Sequence, residues 1–377
     1  MKAREINCAV LIVGAGLSGI AAAVAASRKG VQTLLLEQNA FTGGTVISGM
    51  HRYLCGLYPD KGSTTINAGI ARELVFYLRS LDRRNRKLSS GKVGLFAFRG
   101  KDLQHWINTQ IRSSKNLKAL LNSRVYELTQ VKGVIRGVGA KKGGQEIKVF
   151  PKVVIDASGE GAVIKLSHAN CRLTALSRRQ LAGFSFRVEG ADDAPGLLPI
   201  KVPYYIKFAT YVALDNPGEG VIRLNIPAGQ DLSELRSRAR KAFCCLRKML
   251  PEFRNASIAE FSPFMVEREG IRLRGEYTLT AKDILSGKRF RDGVVRGAWP
   301  IELWDRKKGP QYKYLKFAQY YEIPLRCLRS KNIKNLLAAG RCISVTPEAL
   351  GSTRVAGTCI AIGEQAGLAA VKLCASY

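Results

Sequence analysis

Histidine, paired cysteines and long apolar runs are scarce in this chain of 377 residues, which has only three histidines. Its nine cysteines form no C-x-x-C pair. Because iron–sulfur clusters and structural zinc sites need clustered thiolates, we expect no metal. The odd, scattered cysteines indicate reduced thiols and a cytoplasmic location. No apolar run reaches membrane-spanning length without a glycine or a turn signal, so we expect no membrane span.

Acidic residues are the other shortage. The chain has 29 Asp and Glu against 60 Lys and Arg, a formal net charge of +31. Such a charge attracts nucleic acid, anionic membranes, acidic proteins or small anions. No recognised nucleic-acid module accompanies it. We therefore expect an acidic protein or an anionic membrane surface as partner, with peripheral attachment. A nucleic-acid partner and a merely solvated surface stay open.

The most informative pattern lies at the start of the chain. An apolar strand over 8–13 leads into the turn Gly14-Ala15-Gly16-Leu17-Ser18-Gly19, and a small-residue helix follows over 20–26. A second apolar strand, 31–36, ends at Glu37. This order of strand, G-x-G-x-x-G turn, helix, strand and acid is the dinucleotide-binding fingerprint.

Each part of the fingerprint has a chemical reason. Gly14 allows the tight turn, Gly16 lets a pyrophosphate approach the backbone, and Gly19 lets the helix pack close to the strand. The amide groups and dipole at the helix start hold phosphate. Glu37 accepts hydrogen bonds from a ribose, and its charge disfavours a 2′-phosphate.

Four later motifs extend this pattern. They are Thr42-Gly43-Gly44-Thr45, Ala157-Ser158-Gly159-Glu160-Gly161, Ala339-Gly340-Arg341-Cys342-Ile343-Ser344 and Arg354-Val355-Ala356-Gly357-Thr358. With them the sequence resembles two-dinucleotide-binding-domain flavoproteins of the glutathione reductase fold, and more narrowly the FAD-dependent oxidoreductase family. Segments 299–305 and 321–327 share the resemblance, which therefore spans most of the chain.

The resemblance implies FAD as cofactor. It implies that Val125 lies near the adenine, and that Arg341 and 354–358 lie against the flavin half, with the helix predicted over 359–373 aimed at the ring. The cofactor-binding candidates are Gly14, Ala15, Gly16, Leu17, Ser18, Gly19, Glu37, Gln38, Thr42, Gly43, Gly44, Thr45, Val125, Ala157, Ser158, Gly159, Gly340, Arg341, Arg354, Val355, Gly357 and Thr358.

The expected fold is α/β: a Rossmann-like FAD-binding domain of the glutathione reductase type with an inserted α+β substrate domain. We assign residues 1–77, 115–167 and 333–377 to the FAD domain, and 78–114 and 168–332 to the substrate or cap domain. Within the cap, 232–250 predicts a helix with an apolar stripe, begun by a capping box of Asp231 and Glu234.

The chemistry is expected where 46–58 passes the flavin. This segment carries His51, the most plausible proton acceptor because its usual pKa lies near neutrality. Glu302 and Asp305 are the other catalytic candidates. The candidates for the substrate walls are Cys55, Trp299, Trp304, Tyr320, Tyr321 and Arg326. Covalent attachment of the flavin to His51 or Cys55 is an open alternative.

The resulting function is hydride transfer between flavin N5 and a small or carrier-borne substrate. The alternative is a nucleic-acid-binding or RNA-modifying flavoprotein that uses the basic surface. Thiazole-synthase-like chemistry ranks last because it needs metal-binding histidines. A missing second glycine motif disfavours single-component aromatic hydroxylation. The substrate, the direction of the reaction, the electron partner and the oligomeric state stay open.

Overall fold

The computed structural model describes residues 3–59, 62–192, 208–315 and 320–377. Its strands are β1 Arg4–Val13, β2 Thr33–Leu36, β3 Tyr53–Cys55, β4 Arg86–Ser90, β5 Val93–Ala97, β6 Leu117–Leu120, β7 Ser123–Val131, β8 Val134–Lys142, β9 Gln145–Asp156, β10 Cys171–Arg172, β11 Ala182–Glu189, β12 Phe208–Ala213, β13 Gly220–Ile226, β14 Ser257–Phe261, β15 Arg272–Leu273, β16 Gly293–Gly297, β17 Ile301–Asp305, β18 Gly309–Lys313, β19 Tyr321–Pro324 and β20 Leu336–Ala338.

The α-helices are α1 Leu17–Ser27, α2 Gly44–Ser48, α3 Ile70–Leu81, α4 Gly100–Ser113, α5 Ala162–Leu166, α6 Leu232–Met249, α7 Ala281–Leu285, α8 Pro347–Thr353 and α9 Ala356–Cys374. The helix predicted over 20–26 thus begins three residues earlier, and the helix predicted over 359–373 begins at Ala356.

A parallel sheet forms the centre of the fold, with strand order β6-β2-β1-β9-β20. Its middle strands are buried on both faces: Val10, Leu11 and Ile12 have no exposed surface. This explains why β1 reads as a continuous apolar run rather than an alternating one. Strand β8 pairs antiparallel with the first half of β9, and β7 pairs antiparallel with β8.

Helices α1 and α9 pack directly against each other beside this sheet. A Cβ on Gly363 would lie 2.0 Å from the carbonyl oxygen of Ser18, and one on Gly367 would lie 2.3 Å from that of Ala22. Glycine at these two positions therefore lets the two backbones touch. The contact holds the middle of α9 against α1.

A second, antiparallel sheet has the order β12-β13-β11-β14. The residues Ile222, Leu224 and Ile226 of β13 pack with Phe243 of α6 in a separate hydrophobic cluster. Because side chains alternate along a strand, Arg223 and Asn225 lie on the opposite face.

Helix α6 begins as predicted at an Asp231 cap, whose Oδ1 accepts hydrogen bonds from the backbone N–H groups of Ser233 and Glu234. The reciprocal half of the predicted capping box is replaced by an ion pair, because the Glu234 carboxylate accepts from Arg238 instead. The predicted apolar stripe is buried at Leu235, Ala239, Ala242 and Leu246.

Candidate active site

The first glycine turn is shaped by close backbone contacts. Gly14 has a φ of +104°, and a Cβ there would lie 2.5 Å from the carbonyl oxygen of Ala157. A Cβ on Gly19 would lie 1.8 Å from the carbonyl oxygen of Gly14. Both positions therefore exclude any larger residue, and together they fix how α1 leaves the sheet.

The second glycine pair lies against this turn. The Gly43 N–H donates a 2.8 Å hydrogen bond to the carbonyl oxygen of Ala15. A Cβ on Gly44 would lie 2.9 Å from Cα of Gly16, whereas the nearest atom to a Cβ on Gly16 is 3.9 Å away. Gly16 is the N-cap of α1 and supplies no side-chain cap. The start of α1 therefore offers bare backbone and a positive dipole end, the environment that binds phosphate.

Thr42, which precedes the second glycine pair, is held by a side chain from α4. The buried Thr42 Oγ1 accepts a 2.8 Å hydrogen bond from Nε2 of Gln104. Thr45 is exposed at the start of α2. The loop between β2 and α2 is thereby fixed beside the turn.

Glu37 organises the other side of the turn. Its buried carboxylate accepts from the Ala15 N–H at 2.7 Å through Oε2, and from the backbone and side-chain amides of Asn39 at 2.9 and 2.7 Å through Oε1. Since a carboxylate oxygen has two lone pairs, Oε2 keeps one for a further donor such as a ribose hydroxyl.

Val125 and Gln38 lie near Glu37. The Ser123 N–H, at the start of β7, donates a 2.7 Å hydrogen bond to the Glu37 carbonyl oxygen. Val125 is buried two residues further along β7, so this bond keeps it close to Glu37. Gln38 is exposed at the end of β2.

The turn after β9 is built around Asp156, which has no exposed surface. Its Oδ1 accepts from the backbone N–H and the Oγ of Ser158, at 3.1 and 2.6 Å, and its Oδ2 accepts from the Ile164 N–H at 2.9 Å. Burial nevertheless raises its pKa. This carboxylate, which the sequence reading did not select, holds Ala157 and Ser158 against the glycine turn.

Arg341 attaches the C-terminal motif to that same turn. Its Nε donates a 2.7 Å hydrogen bond to the Gly159 carbonyl oxygen, and its other guanidinium nitrogens bond the Glu160 carboxylate and the Glu267 carbonyl oxygen. The side chain is thus occupied by protein partners. Gly340 has a φ of +68° and packs beside the Ser18 side chain.

The start of α9 meets the segment that follows α2. A Cβ on Gly56 would lie 2.5 Å from Cγ2 of Val355 and 2.8 Å from Oγ1 of Thr358. One on Gly357 would lie 2.7 Å from the backbone nitrogen of Leu57. Segments 46–58 and 354–358, each expected separately to lie beside the flavin, are therefore in direct contact.

Three arginines lie around His51, and we call Arg223, Arg268 and Arg354 the arginine cluster. Arg223 comes from β13, Arg268 from the segment before β15, and Arg354 from the end of α8. Burial and the three guanidinium charges hold the pKa of His51 well below its usual range. The imidazole is consequently neutral at physiological pH.

Cys55 lies in the same place. Burial raises the pKa of its thiol to about 12, helped by the Glu302 carboxylate and opposed by Arg223 and Arg354. The neutral thiol is a poor nucleophile. Burial also lowers the pKa of Arg223, to about 10.

Glu302 joins the two predicted tryptophans. Its Oε2 accepts a 3.0 Å hydrogen bond from Trp299 Nε1, and its Oε1 accepts a 2.5 Å hydrogen bond from Trp304 Nε1. The guanidinium of Arg268 lies 4.2 Å from the centroid of the Trp304 ring. The structure thus brings Glu302, Trp299 and Trp304 together, with the Glu302 carboxylate close enough to act on Cys55.

The structure does not bring Asp305 and Arg326 into this group. Asp305 is exposed in the β17–β18 turn, where Oδ1 accepts from the Lys307 and Lys308 N–H groups at 2.7 Å. Those bonds hold its pKa below the usual range. Arg326 forms a two-bond ion pair with Asp292, both bonds 3.0 Å long.

The two neighbouring tyrosines behave differently from each other. Tyr320 packs its ring on the guanidinium of Arg289, 3.3 Å from the ring centroid. Tyr321 is buried, with its hydroxyl 2.7 Å from Ser352 Oγ, and burial raises its pKa. Ser352 in turn donates to the Trp299 carbonyl oxygen, so Tyr321 supports the site from behind.

Comparison with known proteins identifies the family. The sequence model described as FAD dependent oxidoreductase matches residues 9–209 and 207–376. The chain belongs to the FAD dependent oxidoreductase family. It is therefore an enzyme, an oxidoreductase with FAD as its cofactor. No curated protein sequence matches the chain.

Solved structures share the fold at low sequence identity. A geranylgeranyl bacteriochlorophyll reductase-like protein from Thermoplasma acidophilum matches with a TM-score of 0.54 and 14% identity, over 98% of this chain and 78% of that one. A triple mutant of a flavin-dependent brominase matches with a TM-score of 0.54 and 14% identity, over 98% and 81%. An anhydrotetracycline hydroxylase from Streptomyces rimosus matches with 0.53 and 12%, over 98% and 62%.

The residues present fit FAD. The contact of Gly16 with Gly44 gives the pyrophosphate a surface free of side chains, and Glu37 keeps an acceptor for the ribose. Ser18 Oγ in the glycine turn and Thr358 Oγ1 at the start of α9 are buried without a hydrogen-bond partner in the part of the chain that the structure describes. Buried hydroxyls are normally satisfied, so these two suit polar atoms of the bound cofactor.

Two further expectations can be compared with these findings. Among the helices of the described ranges, none is long and apolar enough to cross a membrane. The nucleic-acid alternative gains no support from the family or from the solved structures.

Proposed function

We propose that this flavoenzyme transfers a hydride between flavin N5 and a small or carrier-borne substrate held between His51, Glu302 and the arginine cluster. The observation that carries the proposal is the meeting of three chain segments: 46–58, the start of α9, and β17. Gly56 contacts Val355 and Thr358, and Arg354 Nη2 donates a 3.3 Å hydrogen bond to the Glu302 carbonyl oxygen. When bound, FAD supplies the hydride acceptor or donor.

We also propose that the FAD domain is of the glutathione reductase type and has the predicted boundaries. The strand order β6-β2-β1-β9-β20 and the antiparallel β7–β8 extension support this assignment. Every strand of that sheet falls within 1–77, 115–167 and 333–377, and every strand of the sheet around β13 falls within 168–332. Strand β3 nevertheless pairs with β5 across the proposed boundary.

His51 is the proposed proton acceptor. Its neutral imidazole carries one unprotonated ring nitrogen, which can take the proton of a substrate hydroxyl or amine. The surrounding positive charge disfavours the imidazolium, so the neutral form that can accept a proton is present at physiological pH. Glu302 acts through the tryptophans: by accepting from both indole N–H groups it fixes the two rings as walls that exclude water.

The flavin half is proposed to lie against 354–358 and Gly340, as expected from the sequence. The buried Thr358 hydroxyl, which has no hydrogen-bond partner among the described residues, supports this position. The N-terminal end of the long helix α9 would favour negative charge on the reduced ring.

The acidic partner or anionic membrane surface also stays a proposal. One place for it on the described surface is an open pocket of about 540 Å³ lined by Arg52, Arg83, Arg84 and Arg86. Arg52 is paired with Asp215 and Arg84 with Asp82, which leaves Arg83 and Arg86 as the attracting charges. Weaker binding of an acidic carrier by an Arg83→Gln/Arg86→Gln variant would support this role.

The hydride-transfer proposal is tested with FAD-loaded protein under anaerobic conditions. The protein is mixed in turn with alcohols, amines, hydroxy acids and reduced nicotinamides while the flavin absorbance is followed. Bleaching by one class, slowed in His51→Ala protein that still holds FAD, is the expected result. A bound flavin that no donor reduces, and that no organic acceptor reoxidises after chemical reduction, would contradict the proposal.

A further inference from the structure

The arginine cluster is held by uncharged partners. Arg223 donates to Ser185 Oγ at 3.2 Å and to the Gly49 carbonyl oxygen at 3.0 Å. Arg268 donates to Asn225 Oδ1 at 2.7 Å and to the Leu181 carbonyl oxygen.

Arg354 is the least satisfied of the three. Its Nη2 donates to the Glu302 carbonyl oxygen, and its Nε is buried without a hydrogen-bond partner among the described residues. Across the described ranges, no ion pair within 4.0 Å joins any cluster arginine to a carboxylate. Glu302 and Glu269 are the nearby acids, and both oxygens of Glu302 accept from indole N–H groups.

Other inward-facing arginines of this chain do have acidic partners. Arg179 pairs with Glu267 at 2.8 Å, and the fully buried Arg272 lies 3.5 Å from the Glu269 carboxylate. An unpaired charge in the interior is strongly destabilising, so its retention needs a reason. The three guanidinium groups of the cluster outnumber the two nearby carboxylates, Glu302 and Glu269, and Glu269 also lies beside Arg272, so the proposed site keeps an excess of positive charge.

We propose that the substrate of this flavoenzyme is a small molecule bearing an oxyanion group, a carboxylate or a phosphate, bound by the arginine cluster. This inference rests on the proposed function, since it assigns the substrate class of the same site. The planar guanidinium fork bonds two oxygens of one oxyanion at once, which gives orientation as well as affinity. The FAD pyrophosphate is not this anion, because the glycine turn accommodates it.

The bound anion also acts on His51. The charged groups that act on this imidazole are Arg223 from β13, Arg268 from the segment before β15 and Arg354 after α8, and the Glu302 carboxylate of β17 acts on Arg223. An oxyanion among them offsets the positive field and restores basicity to the imidazole. Substrate binding therefore prepares the proton acceptor that the reaction needs.

The test is a binding titration that requires no turnover. FAD-loaded protein is titrated separately with succinate, benzoate and inorganic phosphate at constant ionic strength, with chloride as the reference. Flavin absorbance and thermal unfolding are both recorded. At least one oxyanion should perturb the flavin spectrum and raise the melting temperature, and the responding compound tells carboxylate from phosphate.

Variants locate the binding. Arg223→Gln and Arg268→Gln should weaken it roughly 10- to 100-fold, the cost of a lost charged hydrogen bond. Arg136→Gln on β8 removes the same charge from an exposed position and should leave binding unchanged. Arg223→Lys keeps the positive charge but lacks the planar guanidinium group, and it replaces the glutamine variant if that variant fails to fold. No response to any oxyanion, or equal responses in Arg223→Gln and Arg136→Gln protein, would overturn the inference.

The outcome is separable from the proposed function. If no oxyanion binds while neutral donors bleach the flavin, the substrate class is wrong and hydride transfer stands. If oxyanions bind through Arg223 but the flavin exchanges electrons with no organic compound, the anion site stands and the proposed reaction fails.

Discussion

Nη2 of Arg223 donates a 3.0 Å hydrogen bond to the carbonyl oxygen of Gly49. The bond joins the second sheet to the segment that carries His51. Its geometry follows from strand alternation: Ile222 and Leu224 face α6, so Arg223 between them faces the cofactor domain. The contact explains how residues 174 positions apart in sequence form one site.

Gly16→Ala should weaken FAD binding without harming the fold. Gly16 has a φ of −68°, which alanine adopts freely, and the added Cβ meets no atom closer than 3.9 Å. The methyl would intrude only on the pyrophosphate, at a cost of about 1–3 kcal/mol in FAD affinity. Fluorescence titration of the apoprotein measures the affinity. Gly100→Ala, also in open space, is the matched control. Unchanged FAD affinity in Gly16→Ala would place the phosphates elsewhere.

Glu37→Ala should lower FAD affinity by about 1–3 kcal/mol, because it removes a charged acceptor for the ribose and frees the Ala15 N–H. The dissociation constant of FAD is compared with that of Glu5→Ala, which removes an exposed carboxylate from β1. Wild-type affinity in the Glu37 variant would exclude the ribose contact.

Glu302→Gln should lower the free energy of unfolding by about 1–3 kcal/mol and slow substrate-driven flavin reduction. The Glu302 carboxylate now accepts a hydrogen bond from both indole N–H groups. The side-chain amide of glutamine would turn an N–H donor toward one of them, so that hydrogen bond would be lost. Denaturant titration and anaerobic bleaching give the two values. Asp305→Asn, which keeps the oxygen that caps its turn, should bleach at close to the wild-type rate. If Asp305→Asn slowed flavin reduction while Glu302→Gln reduced the flavin at the wild-type rate, Asp305 and not Glu302 would be the residue that the reaction needs.

His51 should make stability depend on pH. Its pKa is lowered in the folded state, so between its unfolded value near 6.5 and the lowered folded value the unfolded chain binds more protons. Stability therefore falls as the pH falls through this window, by at most about 1.4 kcal/mol per pH unit from this group. Unfolding at about pH 7.5 and about pH 5 measures the slope. The slope should be smaller in His51→Gln; identical slopes would show that the imidazole is not held neutral.

The cofactor and the family could be predicted from sequence because their signals are local. The turn Gly14–Gly19 and Glu37 lie within one βαβ unit. Its residue types themselves indicate where the backbone turns tightly and where a ligand approaches it. Arg223 and Arg268 were missed because their meeting depends on how two sheets pack. The available signal was an arginine between apolar residues of β13. Alternation along β17 separates Glu302 and Trp304 from Asp305, whose place in the turn the sequence reading did not anticipate.

The account is tested most directly by a crystal structure of the FAD-loaded protein. The isoalloxazine ring should contact the backbone of Gly357 and Thr358, with His51 and the arginine cluster on the side open to substrate. A ring bound away from Thr358, with no side chain of the cluster near it, would contradict the account.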